Sequence, residues 1–595
     1  MMRKARDLSK IAIATLLVLI PFSAPSQQQL TLAPGSDNSA TGTINGRVVN
    51  EGGQPLLGAT VYVRPAGPAT LARTTVTDSE GNFKVSNLDS AVYRVSAWLP
   101  AYTTTPRDPD DPANYYRPGD SVRLELIRGG VITGTVTTVT GEPVVAVRVR
   151  AYLVRDAEGQ TPSGAITSFG EGSTDDRGVY RIYGLAPGTY LVYAGGSGSS
   201  PGYWMDAYGS DAPTYAPSST RNNAAEIIVR GGEESGVDIR YRGEPGHTVS
   251  GTVKSQGTNS VNLNLVPVGS GFMPAGNSYL PSGGRGFAFT GIADGDYNLV
   301  AQETISPRAV SPQAVSFPEM AFSEPRRITV KGADIAGLEL TTKPLASISG
   351  RIALEPTKAP ECQGKRQPLF SETLVSLQRN DTASEKDQSQ YLRLYRSPAS
   401  PDKEGAFLLR NVLTGQYTFN LRFFAHYWYL QSISLANPPA GAIPKSAQTN
   451  QRVDAAGNWT TVKFGDRIAG LTITLAEGAA TLRGRVTVPE GSSLPPGLSV
   501  YLVPAEREKA GDVLRFFIAA VAFDGSFALT NIPPGLYWAI AKPATANEAT
   551  MIKLRLPSAE DSRLKLRREA ETSKLAIELK PCVNVTDYQL PLGSH

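Results

Sequence analysis

The sequence predicts an all-β chain, a tandem array of about five antiparallel β-sandwich domains behind a signal peptide. Three observations carry this. First, a two-part motif recurs five times: Asp-x-x-Gly-x-aromatic, then Leu/Ile-x-x-Gly-x-Tyr. It runs TDSEGNF and NLDSAVY (Thr77 to Tyr93), TDDRGVY and GLAPGTY (Thr174 to Tyr190), and GRGFAF and GIADGDY (Gly284 to Tyr297). It returns as DKEGAF and NVLTGQY (Asp402 to Tyr417) and as FDGSF and NIPPGLY (Phe523 to Tyr537). Second, 595 residues are too many for one hydrophobic core. Third, 58 glycines and 44 prolines, about one residue in six, supply many tight turns.

The N-terminus has the form of a secretory leader. Arg3, Lys4, Arg6 and Lys10 make a basic segment, and Ile11 to Ile20 an apolar stretch too short to span a bilayer comfortably. Ala24-Pro25-Ser26 offers a small-residue cleavage site, which puts the mature start near Gln27. The formal charge of +4 sits mostly in this leader. A mature chain near neutrality, with mixed signs, gives no reason to expect a nucleic-acid partner.

The expected boundaries are 1–26 for the leader, then sandwiches at 40–127, 128–243, 244–343, 344–478 and 479–583, and a tail at 584–595. Each sandwich opens on Gly-x-hydrophobic, at Gly46, Gly134, Gly251, Gly350 and Gly484. A second strand with period-two alternation follows. Val61 and Val63 face one way in the first unit; in the second, Val147, Val149 and Ala151 oppose Arg148, Arg150 and Tyr152. That pattern predicts one buried and one solvated face. In the turn, Asp bonds backbone two residues on and Gly takes a positive φ. The aromatic after it (Phe83, Tyr180, Phe289, Phe407, Phe527) is expected in the core. The later tyrosines (Tyr93, Tyr190, Tyr297, Tyr417, Tyr537) should bury their rings with the hydroxyl bonded at the edge. Closing strands are expected around Leu124, Ile239, Leu340, Ile473 and Ile577. Short connections predict a semi-rigid rod of sandwiches laid end to end. The basic stretch Lys553 to Arg568 is expected on the solvated face of strands.

These motifs, with GQPLLGATV (Gly53 to Val61) and its near copy GEPVVAVRV (Gly141 to Val149), resemble the carboxypeptidase regulatory-like domain. The resemblance covers most of the chain after the leader. It weakens in the third unit, which lacks the turn Asp, and in the first, where Ala91 replaces a Gly. It implies a transthyretin-like or Ig-like sandwich, related to the Cna-B type repeats of surface adhesins, with no defined activity of its own.

No catalytic residues or cofactor are expected. A zinc carboxypeptidase needs His-x-x-Glu and a distant His. His247, His426 and His595 are the chain's histidines, and none is followed by Glu at that spacing. GSSPG (Gly198 to Gly202) matches a nucleophile elbow by letters, but an elbow joins a strand to a helix in an α/β fold. Asp108, Asp110 and Asp111 lack a calcium-loop spacing, so no metal site is expected.

Aromatic clusters are the binding candidates: Tyr115 and Tyr116, then Tyr203, Trp204, Tyr208 and Tyr215, and finally Trp428. Such rings, flanked by Asp and Asn, stack on sugars, or they pack long loops against the sandwich. Cys362 and Cys582 invite a disulfide in an exported chain, two buried thiols being the alternative. The expectation is an exported, non-enzymatic scaffold or adhesion protein of the envelope or medium. Its partner would be a polysaccharide or, as the alternative, an outer-membrane protein. No membrane span is expected after cleavage, and oligomeric state is not legible. An unfamiliar hydrolase site in the long insertions ranks last.

Overall fold

The structure, a computed structural model, describes residues 42–66, 72–104, 115–160, 169–196, 207–255, 259–268, 275–305, 318–380, 398–436, 452–489, 493–545 and 550–592. The leader and Asp108, Asp110 and Asp111 lie outside these residues. So does the GSSPG segment.

The first sandwich sets the frame. Its opening strand, Gly42–Asn50, lies between Asn82–Leu88, antiparallel, and Ser121–Arg128, parallel. In the second sheet Thr60–Pro65 lies between Arg73–Val76 and Tyr93–Trp98, with Tyr115–Tyr116 beyond. The sheets close over a core that includes Ile44, Val48, Val61, Phe83 and Leu126. The later opening strands, Gly130–Thr137, His247–Lys254, Ala346–Glu355 and Ala480–Thr487, repeat this arrangement. Every one pairs in parallel with its closing strand. The sheets that hold the opening strands are therefore mixed, while the second sheet of the first sandwich is antiparallel throughout. First and last strands lie side by side and run the same way because the rest of each sandwich is the long crossover that a parallel pair requires.

Four repeated residues have local physical causes. The opening glycine packs where a Cβ would come under 3.0 Å from a closing-strand carbonyl: Val122, Val237, Leu338, Leu471 and Tyr588 in the five copies. At three of them the turn aromatic (Phe83, Phe407, Phe527) crowds the same point. The turn Asp accepts two backbone N–H bonds, Asp78 from Glu80 and Asn82, Asp175 from Arg177 and Val179, Asp402 from Glu404 and Ala406. The residue before the second motif's Leu/Ile/Val is left-handed in every copy: Asn87, Gly184, Gly291, Asn411 and Asn531, with φ of 58°, 75°, 69°, 56° and 56°. A bulge against the opening strand sits there, and Asn or Gly tolerates that conformation best. Finally, each later tyrosine donates its hydroxyl to the carbonyl four residues back, Tyr93 to Asp89, Tyr190 to Ala186, Tyr297 to Ala293, Tyr417 to Leu413 and Tyr537 to Pro533, at 2.8–3.0 Å.

The fifth sandwich departs from expectation twice. Lys553 to Arg568 is helical, within Met551–Arg555 and Glu560–Ser573. Thr550 caps the first helix by accepting the Lys553 N–H. Leu554, Leu566 and Ala570 bury against Tyr501, Val503, Phe516 and Ile540. Leu566 and Ala570 stand one turn apart, a helical spacing that the intervening charges mask. The closing strand is Asn584–Pro591, parallel to Ala480–Thr487, with Leu590 fully buried. The expected tail is thus mostly a core strand. Ala576–Leu579, expected to close the unit, pairs instead with Gly535–Trp538 in the other sheet. Both runs alternate, so the pattern alone does not rank them.

Junctions are tight. Closing strands run almost directly into opening ones, Arg128 to Gly130 and Pro344 to Ala346. In the third sandwich the strand Glu319–Ser323 bridges the two sheets into one of eight strands. Asn411 bonds the preceding sandwich at Pro318 O and Met320 N, and Asn531 does so at Ala425 O and Trp428 O. Cys362 and Cys582 form a disulfide between the fourth and fifth sandwiches, with Cα atoms 5.3 Å apart. The expected end-to-end row does not hold, because the fourth sandwich also meets the first.

Candidate functional site: the aromatic residues and the junction of the first and fourth sandwiches

That meeting point collects the polar chemistry. Glu372, on the fourth sandwich and 7 % exposed, accepts Arg366 Nη2 at 2.8 and 2.9 Å. From the first sandwich Arg117 Nη1 reaches it at 3.4 Å, as does Ser90 Oγ at 3.4 Å. The Arg117 guanidinium also lies 4.6 Å from the Phe424 ring centre. Tyr115 stands between two arginines, Arg94 at 5.2 Å and Arg422 at 5.4 Å from its ring, and its hydroxyl accepts from Arg94 at 2.7 Å. Ala66, Val92 and Leu374 are buried behind this rim. A buried carboxylate with two guanidinium partners is costly to break from one side, because the remaining charges stay desolvated. Alongside lies a cleft of about 530 Å³ lined by residues that include Pro65, Val92, Leu374, Phe407 and Arg410.

The aromatic candidates divide. Tyr203 and Trp204 lie outside the described residues. Tyr115 is taken up by the junction. Tyr116 pairs with Tyr93 and is half-buried against the first core. Tyr208 is half-buried, donates to Val145 O at 3.1 Å and meets Tyr241 edge-on at 5.5 Å. Tyr215 is 7 % exposed and lies 4.9 Å from Tyr193. Burial, with Tyr193 and Tyr152 nearby, holds its hydroxyl well above the usual tyrosine range. Trp428 is wholly buried in the fourth core, its indole N–H without a partner. Tyr215 and Trp428 therefore present no face to a sugar. They pack, because their strands turn those positions toward other protein.

The solvated face expected in the second sandwich is also closed. Arg148, Arg150 and Tyr152 are buried. Glu171 pairs with Arg150 at 2.8 Å and with Arg148 at 3.7 Å. Arg221 donates to the Tyr152 hydroxyl at 3.3 Å and to Val268 O of the third sandwich at 3.2 Å. His247 lies 3.2 Å from Asp294 Oδ1. Among the described residues no group of three or more His, Cys, Asp or Glu is placed to hold a metal ion. No helix among them is long and apolar enough to cross a membrane.

Sequence reasoning passed over the outer face of the first sandwich. Trp98 is 56 % exposed and Val76 59 %, and both lie opposite Thr60 in register. The signal was available at the polar positions between Val61, Val63 and Val95.

The fold defines a class: a tandem β-sandwich protein with mixed sheets and tyrosine-locked corners. Its first sandwich carries the family signature, since residues 43–114 match the model of the carboxypeptidase regulatory-like domain. No curated protein matches the chain. Among solved structures it is similar to the Bacillus anthracis TIE protein, at 14 % identity over 51 % of this chain and 51 % of that one, TM-score 0.13. It is similar to a streptococcal ancillary pilin, at 15 % identity over 34 % of this chain and 64 % of that one, TM-score 0.18. BcpA, the major pilin subunit of Bacillus cereus, is 11 % identical over 51 % of this chain and 99 % of its own, TM-score 0.13. The match spans about half of the first of these and less than two thirds of the second.

Proposed function

We propose that the protein is an exported, non-enzymatic scaffold that holds a polysaccharide-binding surface in a fixed orientation at the cell envelope or in the medium. The observation that carries this reading is the cross-bracing between sandwiches. Asn411 and Asn531 clamp backbone of the preceding unit, a disulfide joins the fourth to the fifth, and Glu372 ties the fourth back to the first. Loops that serve only as linkers do not need buried charge at a non-consecutive junction. Fixing the units against each other removes the ordering cost that a flexible array meets on binding an extended ligand. The basic, apolar and small-residue pattern of the leader supports export.

Binding of the chain from Gln27 onward to a panel of plant and bacterial polysaccharides tests this. Retention of at least one glycan, without release of sugar, is the expected result. Failure with every glycan, together with co-purification of an outer-membrane protein from envelope extracts, would replace it with the accessory-subunit reading.

A further inference from the structure

The five second sheets share one design, so their outward faces can be compared position by position. In the fifth, Ser499, Tyr501 and Val503 are buried, the last two beneath the helical segment. In the second, Arg148, Arg150 and Tyr152 are buried. In the third, Asn264, Asn298 and Gln302 are buried, and in the fourth, Leu374 and Thr418. In the fourth, however, Ser376, Gln378, Gln416 and Asn420 also reach solvent, and in the first all six outward residues of the central strands do: Thr60, Tyr62 and Arg64 on one, Arg94, Ser96 and Trp98 on the other.

Register places these residues. Tyr62 lies opposite Ser96, and Trp98 opposite Thr60. Tyr62 and Trp98 are therefore diagonal neighbours on one face, about 7–8 Å apart along the backbone. Thr74 and Val76 extend the same rows onto the third strand. The result is a surface with two aromatic rings, the hydroxyls of Thr60 and Ser96 at the corners between them and that of Thr74 beside Tyr62, with the Arg64 guanidinium 5.7 Å from the Tyr62 ring. Its charge comes from Arg64 and Arg94, and no carboxylate occupies any of these positions. The second sandwich shows what arginines on this face require: Arg148 and Arg150 are both answered by Glu171 on the neighbouring strand. In the first sandwich Arg73–Val76 occupies that strand's place and supplies no acid. Neither Arg64 nor Arg94 makes an ion pair among the described residues, although Arg94 donates to Tyr115.

From this we infer that the outer face of the first sandwich binds an anionic polysaccharide, a polyuronate whose carboxylates pair with Arg64 and Arg94 while its rings stack on Trp98 and Tyr62. Guanidinium matches carboxylate geometry with two parallel hydrogen bonds, and an exposed aromatic face offers apolar area at little ordering cost. The inference rests on the scaffold reading above and adds to it a site and a ligand charge.

The test uses the mature chain with polygalacturonate and with the same polymer after methyl esterification, which removes the charge and keeps the backbone. Polygalacturonate should bind, and the esterified polymer should bind about tenfold more weakly or worse. Trp98→Ala and Arg64→Gln should each lower affinity by about tenfold or more without changing the melting temperature, since both side chains are exposed. Equal binding of the two polymers, or equal retention of duplex DNA, would overturn the assignment. Unchanged binding by both variants would also overturn it while leaving the scaffold reading intact, the glycan then sitting elsewhere. Failure of every glycan in the wider panel would end both.

Discussion

The second strand of the first sandwich, Thr60-Val61-Tyr62-Val63-Arg64-Pro65, and that of the fifth, Ser499-Val500-Tyr501-Leu502-Val503-Pro504, are close to the same sequence. Each ends in register with its corner tyrosine, Pro65 with Tyr93 and Pro504 with Tyr537. Yet Tyr62 is half-exposed and Tyr501 wholly buried. The strands do not cause the difference. A segment of two helices lies across the fifth sheet, and among the described residues none lies across the first. Strand alternation states which residues face the core. Whether the opposite face is wet depends on what the rest of the chain lays over it.

Alkaline pH should act most strongly, and on both regions. Burial raises the hydroxyls of Tyr93 and Tyr537, and elsewhere pushes Tyr297 up to about 12. The unfolded chain then loses these protons first, near pH 10. Their contribution to stability should be flat below that pH and fall as pH rises above it. Flat stability through pH 12 in a circular-dichroism titration would mean that the corner hydroxyls are not the locks the geometry makes them.

Next comes the shared glycine. Gly46→Val and Gly484→Val should each cost about 4 kcal/mol, by driving a side chain into the closing-strand carbonyl. Hydrogen exchange resolved by sandwich would show lost protection in the mutated unit. Tolerance of one substitution but not the other would break the equivalence of the two frames.

Leu566→Ala should cost about 3 kcal/mol in the fifth sandwich, since Leu566 is wholly buried between helix and sheet. Trp98→Ala, at the open face of the first, should stay within about 0.5 kcal/mol. Chemical denaturation of the two variants measures the contrast directly. A large loss from Trp98→Ala would show that the first face is covered after all.

Much of this architecture is visible in one dimension. The opening glycine, the Asp turn, the left-handed Asn or Gly and the corner tyrosine each satisfy a demand made within a few residues or at a fixed strand pairing. Such demands repeat with the unit. The helices were hidden because Leu554, Leu566 and Ala570 stand among Lys553, Arg555, Arg563, Lys565, Arg567 and Arg568. Several of those arginines lie partly buried and bond backbone: Arg563 donates to Leu554 O and Leu556 O, and Arg567 to Pro504 O. Their charge marked solvent where the chain uses their hydrogen bonds inside. The packing of two aromatic candidates was hidden for a related reason. Local richness in rings drew attention to Tyr215 and Trp428, which pack, and away from Tyr62 and Trp98, each a lone ring between apolar neighbours.

Residue order alone therefore settled the repeated motif, the opening strands and the corners, because these follow from backbone geometry and short-range bonds. Only the folded chain decided the parallel closing pairs, the fourth sandwich's hold on the first through Glu372, and the exposure of the first sandwich's outer face. Those depend on which surfaces far apart in sequence exclude water from each other, and strand periodicity carries no information about that.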